Sequence, residues 1–70
     1  MDPDSVKKYI GKRVRIILKN NYNYTAVIPA VSKWRNGKEF SVVDKFGKNA
    51  DMDCDFIAFI TEEEDRWNYN

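Results

Sequence analysis

Residues 12–28 read Lys-Arg-Val-Arg-Ile-Ile-Leu-Lys-Asn-Asn-Tyr-Asn-Tyr-Thr-Ala-Val-Ile, and this stretch decides the fold. Its first half alternates apolar side chains with arginines, which is the period-two pattern of a strand with one buried face. Asn20-Asn21 then indicates a turn, because asparagine tolerates a positive φ better than any residue except glycine. The second half alternates again, with the aromatic and β-branched residues that strands favour. The stretch therefore predicts a β-hairpin.

Turn and strand signals continue towards the C-terminus. Residues 32–38 are polar and contain the turn dipeptide Asn36-Gly37, and residues 46–48 predict another tight turn. Between these turns, Phe40 and Val42 occupy one face of a third strand. A fourth strand follows, in which Ala50, Met52 and Cys54 alternate with Asp51, Asp53 and Asp55.

The ends of the domain are predicted from shorter patterns. Residues 56–60 are dense in apolar side chains, Phe56, Ile57, Phe59 and Ile60, and predict a short turn of helix leading into a final buried strand that closes on the first. At the N-terminus, Asp4 or Ser5 is a candidate cap for a short helix that Gly11 ends. We therefore expect an all-β fold: a small, five-stranded, strongly bent antiparallel barrel of the Sm-like or SH3-like kind with a short N-terminal helix. The barrel domain spans residues 1–61, and residues 62–70 form an acidic, flexible tail.

The size and composition of the chain favour self-association. Seventy residues with one cysteine and no histidine offer neither an internal disulfide nor an ordinary zinc site. Domains this small often need such a staple or a partner subunit for stability. Edge strands that pair with other copies of the chain are therefore the expected route, and the chain itself is the first predicted partner.

Charge is distributed unevenly along the chain. Residues 1–38 hold nine Lys/Arg and two Asp, whereas residues 39–70 hold three Lys/Arg and nine Asp/Glu. The two halves neutralise each other if they fold together. The alternatives are a basic face for polyanions and a dipolar subunit that docks head to tail with its neighbours.

Residues 5–61 resemble the Sm/LSm family. Gly11-Lys12-Arg13-Val14-Arg15-Ile16 is similar to the family's first strand, and residues 18–28 are similar to its next hairpin, with Asn21 and Ala26 where the family usually has glycine. Residues 53–60 stand where the family has Arg-Gly and an alternating hydrophobic strand. The resemblance implies a ring-forming barrel that binds single-stranded RNA, but Asp53 takes the place of the arginine that contacts RNA in the family.

Basic and planar side chains make up the candidate nucleic-acid contacts, because single-strand binders combine a cationic track with stacking platforms. The family's other RNA-contacting loop falls at residues 32–38, where an aromatic ring, a cation and an amide occur together. The alternative role for the aromatic rings is packing in a small core. The candidate contacts are Lys12, Arg13, Arg15, Tyr22, Trp34, Arg35 and Asn36.

The sequence offers little for catalysis. It has no histidine, no phosphate-binding glycine loop and no nucleophile beside a base, and Cys54 is expected to be an inward strand residue. The aspartates at 51, 53 and 55 lack the glycine and glutamate of a calcium loop and are expected to form a solvated acidic face. We expect no enzyme activity, no metal, no cofactor, no small-molecule substrate and no membrane span, and a cytoplasmic location.

These observations predict a non-catalytic Sm-like domain that forms a homo-oligomeric ring and binds single-stranded RNA. The alternative is an SH3-like protein-interaction or assembly module that binds no nucleic acid. Its motivation is Asp53 in the position of the arginine, together with the acidic C-terminal half.

Overall fold

A computed structural model describes residues 1–31 and 33–63 of the chain. Within them, one helix, five strands and one 3₁₀ turn follow each other as α1 (Pro3–Lys7), β1 (Arg13–Leu18), β2 (Asn23–Val27), β3 (Glu39–Asp44), β4 (Asn49–Asp53), the 3₁₀ turn (Cys54–Phe56) and β5 (Ile57–Glu62). The strands form one antiparallel sheet in the order β4-β3-β2-β1-β5. The predicted all-β, five-stranded fold with a short N-terminal helix is confirmed. The sheet is not closed into a barrel by pairing of β4 with β5.

The hairpin of β1 and β2 forms as its sequence predicts. Val14 and Ile16 are fully buried, and they lie opposite Ala26 and Tyr24 respectively. Asn21 adopts a φ of 70° in the turn, in the left-handed region that asparagine tolerates. The alternation of β1 therefore directs its arginines away from the core.

Strand β2 pairs with β3 over a short length. Only Ala26 and Val27 of β2 have partners in β3, and these partners are Asp44 and Val43. The first residues of β2 run past the end of β3, so the turn before β2 and the turn after β3 lie on either side of an opening in the molecular surface.

The β3–β4 hairpin closes with a turn that a carboxylate stabilises. Asp44 Oδ1 accepts hydrogen bonds from the backbone N–H groups of Phe46 and Lys48, both at 2.9 Å. Gly47 has a φ of 82°, which an L side chain adopts only under strain. Phe40, Val42 and Met52 point into the core, so the predicted alternation of both strands is confirmed.

Two details of the C-terminal elements differ from the sequence-based expectation. Cys54 is buried, but it begins the 3₁₀ turn instead of continuing β4. Strand β5 pairs with β1 as expected. The register of this pairing shifts between Ile17 and Leu18, so Ala58 of β5 has no partner in β1 and forms a bulge. Period two is therefore broken: Ile57 and Ile60 are buried, whereas Phe59 is 53% exposed. The predicted short turn of helix is present and contains Phe56, whereas the expectation of a buried final strand is wrong at Phe59.

The N-terminal helix begins earlier than predicted. Asp2, not Asp4 or Ser5, is its cap residue, and no side chain makes a capping hydrogen bond. Pro3 occupies the first helical turn, where its fixed φ suits a helix and its missing N–H costs nothing. The helix places Val6 in the core.

The core lies on one face of the sheet beneath the helix. Its buried members come from every element of the fold: Val6, Val14, Ile16, Ala26, Ile28, Phe40, Val42, Met52, Cys54, Ile57 and Ile60. Among the described residues, no helix is long and apolar enough to cross a membrane.

Strand β5 runs to Glu62, and the Glu63 N–H donates to the carbonyl of Arg13. Most of the predicted tail, residues 64–70, lies outside the described residues.

Candidate functional site

The basic residues of the first strand face carboxylates from the end of β5. Lys12 Nζ lies 3.4 Å from Glu62 Oε1, and Arg15 Nη2 lies 3.1 Å from Glu63 Oε2. All four side chains remain partly exposed, so each pair contributes little to stability and is weakened by salt. The basic track that the sequence predicts is nevertheless neutralised in part by the acidic half of the chain.

The second basic segment makes the same kind of contact. Arg35 lies 3.6 Å from Glu39 and 3.5 Å from Asp51, both measured to carboxylate oxygens. Lys38 Nζ lies 2.6 Å from Asp55 Oδ2. The hydrogen bond and charge of Asp55 raise the pKa of Lys38, and Lys38 in turn lowers the pKa of Asp55. The two halves of the chain therefore neutralise each other in space, which was the first of the three interpretations of the charge asymmetry.

Trp34 packs against the core instead of projecting from the tip of a loop. Its ring stacks on Phe40, with centroids 4.5 Å apart and ring planes at 19°. Lys7 Nζ lies 5.0 Å from the centre of the Trp34 ring. The indole Nε1 is buried and has no hydrogen-bond partner among the described residues. Little of this ring is available for a stacked base.

The rest of the predicted RNA-contacting loop is exposed. Asn36 adopts a φ of 53° in the turn that links Arg35 to Glu39 by an isolated β-bridge. Ser32, the first residue of the loop, lies outside the described residues. Lys33 and Asn36 are both exposed members of this loop, and neither makes an ion pair among the described residues.

The aspartates of β4 and the 3₁₀ turn each have their own partner. Asp51 accepts a hydrogen bond from the Ser41 hydroxyl at 3.0 Å, and Asp53 Oδ1 accepts one from the Asp55 N–H at 2.9 Å. Asp53 thus caps the 3₁₀ turn, which gives a structural reason for an acid at this position. Within residues 1–31 and 33–63, no three potential ligands are grouped to hold a metal ion.

Cys54 is a core residue. Its side chain is fully buried, and burial raises the pKa of the thiol. A buried thiol that ionises only at higher pH is a poor nucleophile, because the thiolate is the reactive form. The prediction that Cys54 faces inward is confirmed.

An aromatic cleft opens between the β1–β2 turn and the β3–β4 turn. It has a volume of about 280 Å³ and is lined by Tyr22, Asn23, Tyr24, Thr25, Asp44, Lys45 and Phe46. Tyr22 and Tyr24 meet edge to face, with centroids 6.2 Å apart. Lys45 Nζ lies 5.6 Å from the centre of the Phe46 ring. Tyr22 is 62% exposed and Phe46 is 77% exposed, so large ring areas face solvent.

The structure separates the predicted contacts into different surfaces. Of the seven, only Tyr22 lines the aromatic cleft. Arg13 lines an adjacent depression of about 270 Å³, which shares Thr25, Asp44 and Lys45 with the cleft. The other five contacts lie elsewhere: Lys12, Arg15, Trp34, Arg35 and Asn36.

Sequence reasoning missed Phe46 and Lys45. The sequence does indicate that Phe46 is exposed, because an aromatic ring in a tight turn beside glycine is poorly placed to reach a core. The predicted contacts include Trp34, whose ring is half-buried, but not Phe46, whose ring is exposed.

The two edges of the sheet differ in chemistry. Each edge strand has a single strand partner among the described residues, β3 for β4 and β1 for β5. Strand β4 carries Asp51 and Asp53, whereas Phe56 (68% exposed) and Phe59 (53% exposed) mark the β5 edge. Phe56 also lines an apolar cleft of about 280 Å³ with Leu18, Lys19 and Asn20.

Comparisons of the chain with protein-family models, with curated proteins and with solved structures found no match.

Proposed function

We propose that this chain is a non-catalytic, Sm-like module that assembles with copies of itself through β4 and β5 and binds single-stranded RNA. The observation that carries the proposal is the pair of sheet edges that lack strand partners among the described residues. Unpaired backbone N–H and C=O groups on an edge strand are a template for pairing with another chain. The assignment to the family rests on the sequence resemblance.

The chemistry of the edges favours head-to-tail contact. Pairing β4 with a second β4 would bring Asp51 and Asp53 close to the same acids of the neighbour, and like charges opposite each other destabilise a sheet. Pairing β4 with a neighbour's β5, whose one acid is Glu62 at its end, lessens this repulsion and brings the neighbour beside Phe59. Repetition of such a heterologous contact gives a ring if the rotation closes.

A charge on the β5 edge tests the assembly. We expect Phe59→Lys to lower the sedimentation coefficient of the assembled protein to that of a smaller species, because lysine on an edge opposes pairing. Val31→Lys is the matched control, since Val31 is 89% exposed and lies outside the strands. An unchanged sedimentation coefficient for Phe59→Lys would reject β5 as the interface.

RNA binding is supported by exposed rings beside cations, the combination found in single-strand binders. Fluorescence anisotropy of labelled oligo-U and oligo-A at low salt tests it directly. Arg35→Ala/Asn36→Gly tests the predicted loop, because it removes both side chains, keeps the stacked Trp34 ring and puts glycine at the positive φ of Asn36. Unchanged affinity for this double variant would remove the loop from the RNA contacts, and no binding by the unaltered protein would reject the RNA part of the proposal.

The second candidate function is an assembly module that binds no nucleic acid. It is supported by the ion pairs that Lys12, Arg15, Arg35 and Lys38 make with acids of the same chain, since these cations are partly neutralised before any polyanion arrives. A stable oligomer that leaves the anisotropy of both oligonucleotides unchanged would favour this function over the first.

A further inference from the structure

We infer that the aromatic cleft is the binding site for the bases of a single-stranded nucleic acid. This inference rests on the proposed RNA-binding function and places the main contacts away from Trp34, Arg35 and Asn36. The cleft lies between the β1–β2 and β3–β4 turns, where sequence reasoning had identified only Tyr22.

The rings of the cleft are arranged to accept planar groups. Tyr22 meets Tyr24 edge to face and is still 62% exposed, so much of its ring faces solvent. Phe46 stands on the opposite turn and is more exposed than any other aromatic residue among the described ones. Base–aromatic stacking is tolerant of sequence, because every base has a π-face. Exposed rings on two turns therefore form platforms for neighbouring bases.

Polar side chains in the cleft suit the edges of bases. Asn23 is exposed at the start of β2 and offers both an amide donor and an amide acceptor. Thr25, which carries a hydroxyl group, lines the same cleft. The Asp44 carboxylate is already engaged by two backbone N–H groups of the turn, which offset part of its charge. The cleft thus combines stacking surfaces with a small number of hydrogen-bonding groups.

Charge selects a nucleic acid over a neutral peptide as the occupant. Lys45 and Lys48 belong to the turn that carries Phe46, and neither makes an ion pair among the described residues. By contrast, Lys12, Arg15 and Arg35 all face carboxylates. Unpaired cations beside exposed rings are complementary to the phosphates that link stacked bases.

The test is the affinity of Tyr22→Ala/Phe46→Ala for oligo-U and oligo-A, measured by fluorescence anisotropy. Both side chains are mostly exposed, so the variant keeps the core intact. We expect affinity to fall about 5- to 150-fold for each base that loses its stacking partner. Tyr22→Phe keeps the ring and should bind nearly as tightly as the unaltered protein.

Val31→Ala is the control, because Val31 is 89% exposed and lies outside both the cleft and the strands of the sheet. If the unaltered protein binds and the cleft variant binds equally well, the cleft inference is overturned while RNA binding stands. An equal loss in Val31→Ala would likewise overturn the assignment to the cleft. If the unaltered protein binds neither oligonucleotide, the proposed RNA-binding function fails and the cleft inference fails with it.

Discussion

The ring of Trp34 stacks on the ring of Phe40, 4.5 Å away between centroids, and so joins the β2–β3 connection to the fully buried part of the core. Stacked aromatic pairs stabilise proteins beyond the area that they bury. In a domain with so few buried side chains, this contact extends the core across a segment that has no other buried residue between Ile28 and Phe40 among the described positions.

Loss of the stacked ring should destabilise the fold. We expect Trp34→Ala to lower the free energy of unfolding by roughly 1 to 3 kcal/mol, less than a fully buried aromatic residue would. Trp34→Phe should cost less, because it keeps a stacked ring and removes a buried N–H that has no partner among the described residues. Urea denaturation followed by circular dichroism measures both changes. Equal stability of Trp34→Ala and the unaltered protein would contradict a packing role.

The cap on the 3₁₀ turn predicts a second stability effect. Removing the carboxylate in Asp53→Ala should cost about 0.5 to 2 kcal/mol, the range measured for caps of helix termini. Asp53→Asn keeps an acceptor oxygen and should retain most of this stability. Asp53→Arg, which also lacks the acceptor oxygens of the carboxylate, should be as unstable as the alanine variant. If all three variants unfold at the same urea concentration as the unaltered protein, the cap is irrelevant to stability.

The Lys38–Asp55 pair predicts a dependence on pH. The pKa of Asp55 is lowered in the folded protein. The contribution of Asp55 to the free energy of unfolding is therefore present above the unfolded pKa of about 4 and is lost as the pH falls through the folded pKa. The raised pKa of Lys38 limits stability at high pH. The contribution of Lys38 to the free energy of unfolding is present below about pH 10.4 and is lost as the pH rises through the folded pKa.

The difference in stability between the unaltered protein and Lys38→Met should therefore be largest at intermediate pH and shrink at both extremes. It should also shrink with added salt, because the pair is exposed. The carboxyl resonance of Asp55 in a ¹³C NMR titration gives a direct check, since its pKa should rise in Lys38→Met. An identical Asp55 pKa in both proteins would show that the pair does not form in solution.

The lysines beside the aromatic cleft predict a change in salt dependence. For single strands, log Kobs falls with log[salt] by about 0.7 per phosphate contacted. Lys45→Ala/Lys48→Ala should therefore reduce the slope for oligo-U binding by about 1.4 if each lysine contacts one phosphate. Lys7→Ala/Lys8→Ala removes the same charge from exposed positions at the end of the N-terminal helix, outside the cleft. Equal slopes for the two double variants would argue against contacts at the cleft.

The sequence predicted those parts of the fold that depend on local pattern. Alternation identified Val14 and Ile16 as buried, and Asn21 supplied the left-handed turn that its side chain permits. The bulge in β5 could not be foreseen, because an extra residue breaks the period that the prediction relies on. Exposure of Phe59 follows from that bulge and from the register with β1, which are tertiary properties.

The candidate site depended more heavily on contacts distant in sequence. Arg15 pairs with Glu63, which is 48 residues away along the chain, so no local sequence pattern predicts this ion pair. The aromatic cleft exists because β2 pairs with β3 only at Ala26 and Val27, and nothing in either strand alone specifies how far that pairing extends. Tyr22 and Phe46 therefore could not be brought together from sequence.

The mass of the unaltered protein in solution tests the central claim most directly. Assembly through β4 and β5 predicts that light scattering coupled to size-exclusion chromatography gives a mass that is a multiple of the 8.3 kDa chain. The multiple should stay constant over a range of protein concentrations if the contacts close into a ring. A mass of 8.3 kDa at every concentration would contradict the account.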